Sequence, residues 1–194
     1  STHSLAPLMY ITDTWPVQVS AHIIKHREDD PVPMRVARLN DAASMIVLKM
    51  DNGALVKLLQ VYLRGEGVWV RIHGSRGQIE NMRHGDRDIV RLTREQYHEE
   101  PTKPEEQVYK SEFPHHAEAA GKAGHGGGDF FMNYHFAESI RKNEPPYLDV
   151  YRGVVMSIVG PIAYRSALDN SSTLNIPDFS IESPRPAVTI DQWY

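Results

Sequence analysis

The 194-residue chain contains no cysteine. That excludes disulfides, thiolate metal sites and cysteine nucleophiles, and it leaves the compartment open, cytoplasmic or periplasmic. No apolar run reaches the roughly 18 residues that a membrane span needs, so no membrane partner is expected. Charge of one sign is also missing. Lys and Arg number 21 against 25 Asp and Glu, a formal net charge of −4, and the basic residues are scattered, so nothing points to nucleic acid. There is no Walker sequence, no G-x-S-x-G elbow and no G-x-G-x-x-G after a strand-like run. What remains is a 41% hydrophobic chain, long enough for a sizeable core and read as one domain over residues 1–194. It opens on "STHSLAPLMYI", without an initiator Met and as if mid-element; a fragment or a processed chain is expected.

The pattern along the chain changes twice. Residues 3–11 suit the end of a short helix. Between 16 and 95, strand-like runs follow one another. "PVQVSAHII" places Val17, Val19, Ala21 and Ile23 on one face with period two. "SMIVLKM" and "ALVKLLQVYL" flank Asp51-Asn52-Gly53, a hairpin signal because Asn-Gly tolerates the positive φ of tight turns. "GVWVRIHGS", "GSRGQIEN" and "DIVRLTR" supply further strands. Residues 97–127, rich in Pro, Gly, Glu and His, read as a long irregular loop. Helical spacing resumes at 128–143 (Phe130, Phe131, Tyr134, Ala137, Ile140) and from Asp149 to Leu168. There Val150, Val154, Met156, Ile158, Val159 and Ile162 form the apolar set, and Pro161 is expected to kink the helix or cost a hydrogen bond. The tail from 173 is proline-broken. Sheet first and helices second predicts an α+β fold: an open, mostly antiparallel sheet with the late helices on one face. The strand near 55–63 is apolar on both sides, Leu55 to Leu63, and a second partner for that sheet is expected.

Candidate chemistry gathers at "GKAGHGGGDFFMNYH", residues 121–135. Three glycines run from Gly126 to Gly128 into Asp129 at a helix start. A phosphate or sugar cradle and a plain glycine-enabled turn both suit this pattern, the turn more readily. Asp129 is as well placed to cap the helix as to meet a ligand. His115, His116 and His125 share the loop with Glu118, but adjacent histidines match no zinc pattern and read as solvated side chains.

Taken in order, "THSLAP", "GSRG", "HGGGDFFM", "DVYRGVVMSIVGPIAYRSA" and "IPDF" resemble the C-terminal half of Gfo/Idh/MocA-type oxidoreductases. Within them they look closest to the NAD-dependent glycosidases of glycoside hydrolase family 109. The resemblance covers about residues 2–180 and departs at Ala6, where the glycosidase pattern has Gly. It implies a substrate-side and oligomerisation domain whose Rossmann partner is absent from this chain. NAD or NADP then belongs to the parent protein, with none on this chain alone, and the substrate is a small carbohydrate or cyclitol. The resemblance gives His3 a catalytic, proton-transferring role and gives Thr2, His125, Gly126, Gly127 and Asp129 substrate- or cofactor-side roles. It implies a homo-oligomer formed through the sheet. The leading reading is a sugar or cyclitol oxidoreductase; an NAD-dependent glycosidase of α-N-acetylgalactosaminidase type and a non-catalytic assembly module are the alternatives.

Overall fold

The computed structural model describes residues 2–27, 29, 41–61, 68–83, 85–86, 88–95 and 105–179. They fall into two compact units. One comprises Ser1–Gly65 with Tyr147–Tyr194, the other Glu66–Pro146.

The first unit is a four-stranded antiparallel sheet under two helices. Strands β1 (Pro16–Ile24), β2 (Ala43–Met50), β3 (Leu55–Val61) and the short β8 (Leu174–Asn175) lie in the order β3-β2-β1-β8. On the inner face the register lines up Val19, Leu48 and Val56, then Ala21, Ile46 and Leu58. Helices α1 (Thr2–Thr12) and α4 (Val150–Leu168) close that face with Leu5, Met9, Val155, Met156, Val159, Ile162 and Ala163. Each fully buried aliphatic side chain of this kind stabilises by about 1.5–3 kcal/mol relative to exposure. The apolar set of α4 is therefore shifted from the expected one: Val155 and Ala163 are buried, whereas Val150 is 69% exposed. The helix runs unbroken through Pro161. Its start is capped by Asp149, whose side chain accepts from the Arg152 N–H at 2.8 Å.

Two local details differ from the period-two reading. A register shift between Pro16 and Gln18 turns Val17 outward, because one extra residue reverses the side-chain parity beyond it. In the β2–β3 turn only Gly53 takes a positive φ, 86°. Asp51 to Ala54 connect the two strands, with the Gly53 N–H donating to the Met50 carbonyl at 2.9 Å. The outer sheet face carries Met45, Leu59 and Val61, all exposed, alternating with Lys49 and Lys57. Tyr62 and Leu63 lie outside the described residues.

The second unit holds a separate antiparallel sheet, β4 (Arg71–Gly74), β5 (Gly77–Asn81), β6 (Ile89–Arg94) and β7 (Glu106–Lys110), in sequence order. The expected strands thus divide between two sheets. Strand β7 corrects the irregular loop expected over 97–127. Residues 97–104 lie outside the described set, but from 106 the chain pairs with β6, and α2 (Ala117–Gly121) follows. A single turn of 3₁₀ helix, His125–Gly127, leads into α3 (Gly128–Lys142). The first sheet is covered by α1 and α4, and α3 belongs to the second unit. No residue of α3 is fully buried. No helix among the described residues is long and apolar enough to cross a membrane.

Candidate functional site

The glycine-rich loop has an unusual backbone. His125, Gly126 and Gly127 have φ of 53°, 62° and 92°. Three consecutive residues in the left-handed region cost a non-glycine residue about 1–2 kcal/mol, which glycine avoids. Gly127 is the more crowded of the two left-handed glycines. A Cβ there would stand 2.6 Å from the Phe113 ring and 3.3 Å from the Ala120 carbonyl oxygen. Gly126 faces open space.

This path brings His125 back over the start of α3. His125 Nδ1 and Asp129 Oδ1 are 2.8 Å apart. A carboxylate oxygen accepts, so Nδ1–H donates, and Nε2 is the ring nitrogen turned away from Asp129. Gly127, not Asp129, is the N-cap residue of α3, and no side chain caps that end. The capping role considered for Asp129 is therefore replaced by a partnership with His125. The ring itself is exposed, with 82% of its side chain open.

Beside this pair the structure places a cluster that sequence patterning did not single out. Phe113 and His115, from the segment before α2, meet Phe131 at 5.7 and 5.3 Å between ring centroids. His115 and His116 meet Tyr134 at 5.0 and 4.9 Å. Of the three histidines read as solvated, His115 and His116 are exposed yet pack on aromatic rings. The available signal was the aromatic spacing of "FFMNYHF" facing a Phe-Pro-His-His segment. Among the described residues, no group of three His, Cys, Asp or Glu side chains could hold a metal ion.

Thr2 and His3 occupy the first turn of α1 in the other unit, both exposed. The structure brings His125, Gly126, Gly127 and Asp129 together at one turn and helix start, and it places Thr2 and His3 on a separate element. Leu5 and Met9 bury α1 in the core, and polar contacts hold its far end. The Tyr147 hydroxyl donates to the Met9 carbonyl at 3.0 Å, and Arg152 donates to Asp13 at 2.9 Å. The Arg152 guanidinium lies 4.2 Å from the Tyr147 ring centroid and 5.1 Å from that of Trp15. Burial holds the Tyr147 hydroxyl pKa above its ordinary value, against the opposing pull of Arg152.

A family profile described as "Glycosyl hydrolase 109, C-terminal domain" matches residues 24–183. The chain belongs to this family. Like the relatives named next, this family 109 C-terminal domain shares its identity with them in short stretches. It is 34% identical over 77 residues to a glycosyl hydrolase family 109 protein of Stenotrophomonas maltophilia, a match covering 37% of this chain and 17% of that one. It is 33% identical over 61 residues to an alpha-N-acetylgalactosaminidase of Tannerella forsythia, covering 31% and 13%. Among solved structures, it aligns with an oxidoreductase domain protein from Kribbella flavida at a TM-score of 0.69 and 18% identity. It aligns with levoglucosan dehydrogenase in complex with NADH and levoglucosan at 0.69 and 16%. These alignments cover 91% of this chain and 48–49% of the neighbours, so the family 109 C-terminal domain spans about half of each. At such identities the likeness speaks for the fold alone, and the expected α+β architecture of open antiparallel sheets with helices is the one these alignments share.

Proposed function

We propose that this chain is the substrate-side domain of a nicotinamide-dependent carbohydrate enzyme, and that its own chemistry is proton transfer by His125. The observation carrying the proposal is the left-handed His125–Gly127 path, which holds the imidazole on Asp129 and leaves Nε2 outward. An imidazole oriented by a carboxylate is suited to give or take a proton near neutral pH. Backbone held in a sparsely populated region at such a group supports a functional reading over a structural one.

A nicotinamide dinucleotide does not fit the residues described here. Both sheets are antiparallel, the glycine run follows a helix rather than a strand, and the Asp129 carboxylate beside it repels a pyrophosphate. NAD or NADP is therefore assigned to a Rossmann partner, where it would supply hydride chemistry. The family membership favours the glycosidase reading, a reaction in which the cofactor is regenerated. The dehydrogenase neighbours favour net oxidation of a sugar or cyclitol as the second. In the first unit His3 is proposed as a proton-transfer group with Thr2 beside it on the ligand side; in the second, Gly126 and Gly127 are proposed as ligand-side residues. Oligomerisation is proposed through the outer face of the first sheet, at Met45, Leu59 and Val61.

The test uses a parent protein that carries the Rossmann half. Cleavage of an α-N-acetylgalactosaminide without net NADH supports the glycosidase; NADH formation from free sugar supports the dehydrogenase. His125→Ala and His3→Ala should each lower turnover by about 10² to 10⁴ while leaving cofactor affinity in place. Turnover that ignores His125→Ala removes this residue from the mechanism.

A further inference from the structure

Helix α4 has two apolar faces, and its own unit covers only one of them. At about 100° of turn per residue, Val155, Val159, Ile162 and Ser166 share the face that is buried. On the opposite side Val150, Val154, Ser157, Pro161, Tyr164 and Leu168 follow one another at alternating steps of four and three and form one straight stripe. All six are exposed, and Val150, Tyr164 and Leu168 keep half or more of their surface open. None carries a charge. At the middle of the stripe the Ser157 hydroxyl donates to the Gly153 carbonyl at 2.7 Å, so covering it strands no donor. Along one flank Gly153, Gly160 and Ala167 recur every seventh residue. An added Cβ at Gly153 meets nothing within 4 Å. Glycine weakens a helix interior relative to alanine, and no described neighbour calls for it here. A backbone approaching from outside would.

We infer that this face of α4 binds the same face of a second copy of the chain, as an antiparallel helix pair crossing at the level of Val159. The stripe is its own complement. Its steps read the same in both directions, so a two-fold axis at that level sets Val150 opposite Leu168 of the second copy, Val154 opposite Tyr164, and Ser157 opposite Pro161. Larger side chains meet toward the ends and small ones at the centre, where the backbones come closest. The glycine–alanine flank falls on the same side of both helices and permits an interaxial distance of about 8 Å, the near end of the ordinary range. The chain carries a net charge of −4, and like-charged copies meet most readily at an uncharged seam. Covering the stripe takes about 500 Å² from each copy, about 1,000 Å² in all, the size of a weak and reversible contact. Since α4 packs on the inner face of the first sheet, the seam lies on the side of that unit away from Met45, Leu59 and Val61, and the two contacts are independent.

The test is sedimentation equilibrium of the full chain carrying Leu59→Lys, which removes the proposed sheet contact, from about 10 µM to about 1 mM. A monomer–dimer equilibrium with a Kd of about 100 µM is expected. Added to that chain, Tyr164→Glu places a charge in the seam and should raise the Kd at least about tenfold. Gly153→Leu should raise it at least about tenfold as well, by blocking the close approach. The same substitution favours the helix and should raise the urea midpoint. A change that merely damaged the fold would lower that midpoint, so this variant separates the seam from stability. Orientation is read by NMR. The chain has no cysteine, so a nitroxide on Val150→Cys marks one site, and this copy is mixed with isotope-labelled chain. Broadening centred on Leu168 of the labelled copy is expected, whereas a parallel pair would broaden Val150. A chain that stays monomeric at about 1 mM, a dimer that either substitution leaves unchanged, or broadening centred away from Leu168 overturns the inference.

Discussion

Replacing Gly127 by alanine probes the loop that carries the candidate site. Two costs act together. The backbone φ of 92° is unfavourable for any residue with a Cβ, by about 1–2 kcal/mol. The added methyl would also sit 2.6 and 2.8 Å from two carbons of the Phe113 ring. Relieving such a contact by moving the ring costs about 1–3 kcal/mol. The expected loss is therefore about 2–5 kcal/mol. Gly126→Ala is the matched control. Its φ of 62° is also positive, but nothing lies within 4 Å of the added carbon, so only the backbone cost of about 1–2 kcal/mol applies. Urea unfolding of both variants, followed by circular dichroism, should give midpoints that differ by about 1 M, since the slope for a chain of this size is about 1–3 kcal/mol/M. Phe113→Ala in the Gly127→Ala background should recover part of the difference, giving a coupling term that distant sites would not show. Equal losses in Gly126→Ala and Gly127→Ala would refute the steric half of this argument. No loss in either would refute the described path of the loop.

Ser166 is fully buried; its Oγ accepts from the Ala21 N–H at 3.0 Å and donates to the Ser172 carbonyl at 2.6 Å. Ser166→Ala should cost about 1–3 kcal/mol in the same unfolding measurement. The Glu138 carboxyl is held down at about 2, chiefly by its hydrogen bond to Arg141. Its folded pKa is depressed, so the stability it contributes is present above the unfolded value near about 4.3 and is lost as pH falls toward about 2; Glu138→Gln should flatten the acid limb of a pH–stability curve. Leu59→Lys on the outer face of the first sheet should convert an oligomer to monomer in light scattering, and a wild-type chain that is strictly monomeric at micromolar concentration would remove the proposed interface.

Much of the fold was legible because it rests on local rules. Helix α1, the β2–β3 hairpin, α3 and α4 each lie where periodicity and turn residues put them. Strand β7 was not legible, since all five of its residues are exposed and show no alternation. Its pairing with β6 decides it. The bulge after Pro16 also left no mark in the spacing of Val17 and Val19. At the candidate site, the glycine run marked the loop as a turn into a helix, but gave no sign of the pairing of His125 with Asp129 in place of a cap. The clamp on α1 could not be read at all. Tyr147 and Met9 are separated by 138 residues, and Arg152 and Asp13 by 139, distances over which sequence spacing carries no information.

That clamp leaves α1 one loose turn. Leu5 and Met9 are both fully buried, and the bonds from Tyr147 and Arg152 hold the chain from Met9 to Asp13. Thr2, His3 and Ser4 stand before the first buried side chain. Two residues at about 1.5 Å each put His3 about 3 Å of rise from Leu5, so a tilt of about 5° there moves its backbone by about 0.3 Å. Loosening Tyr147, Trp15 or Arg152 would therefore be felt as lost stability at the far end of the helix, whereas fraying of the first turn alone would set the imidazole adrift.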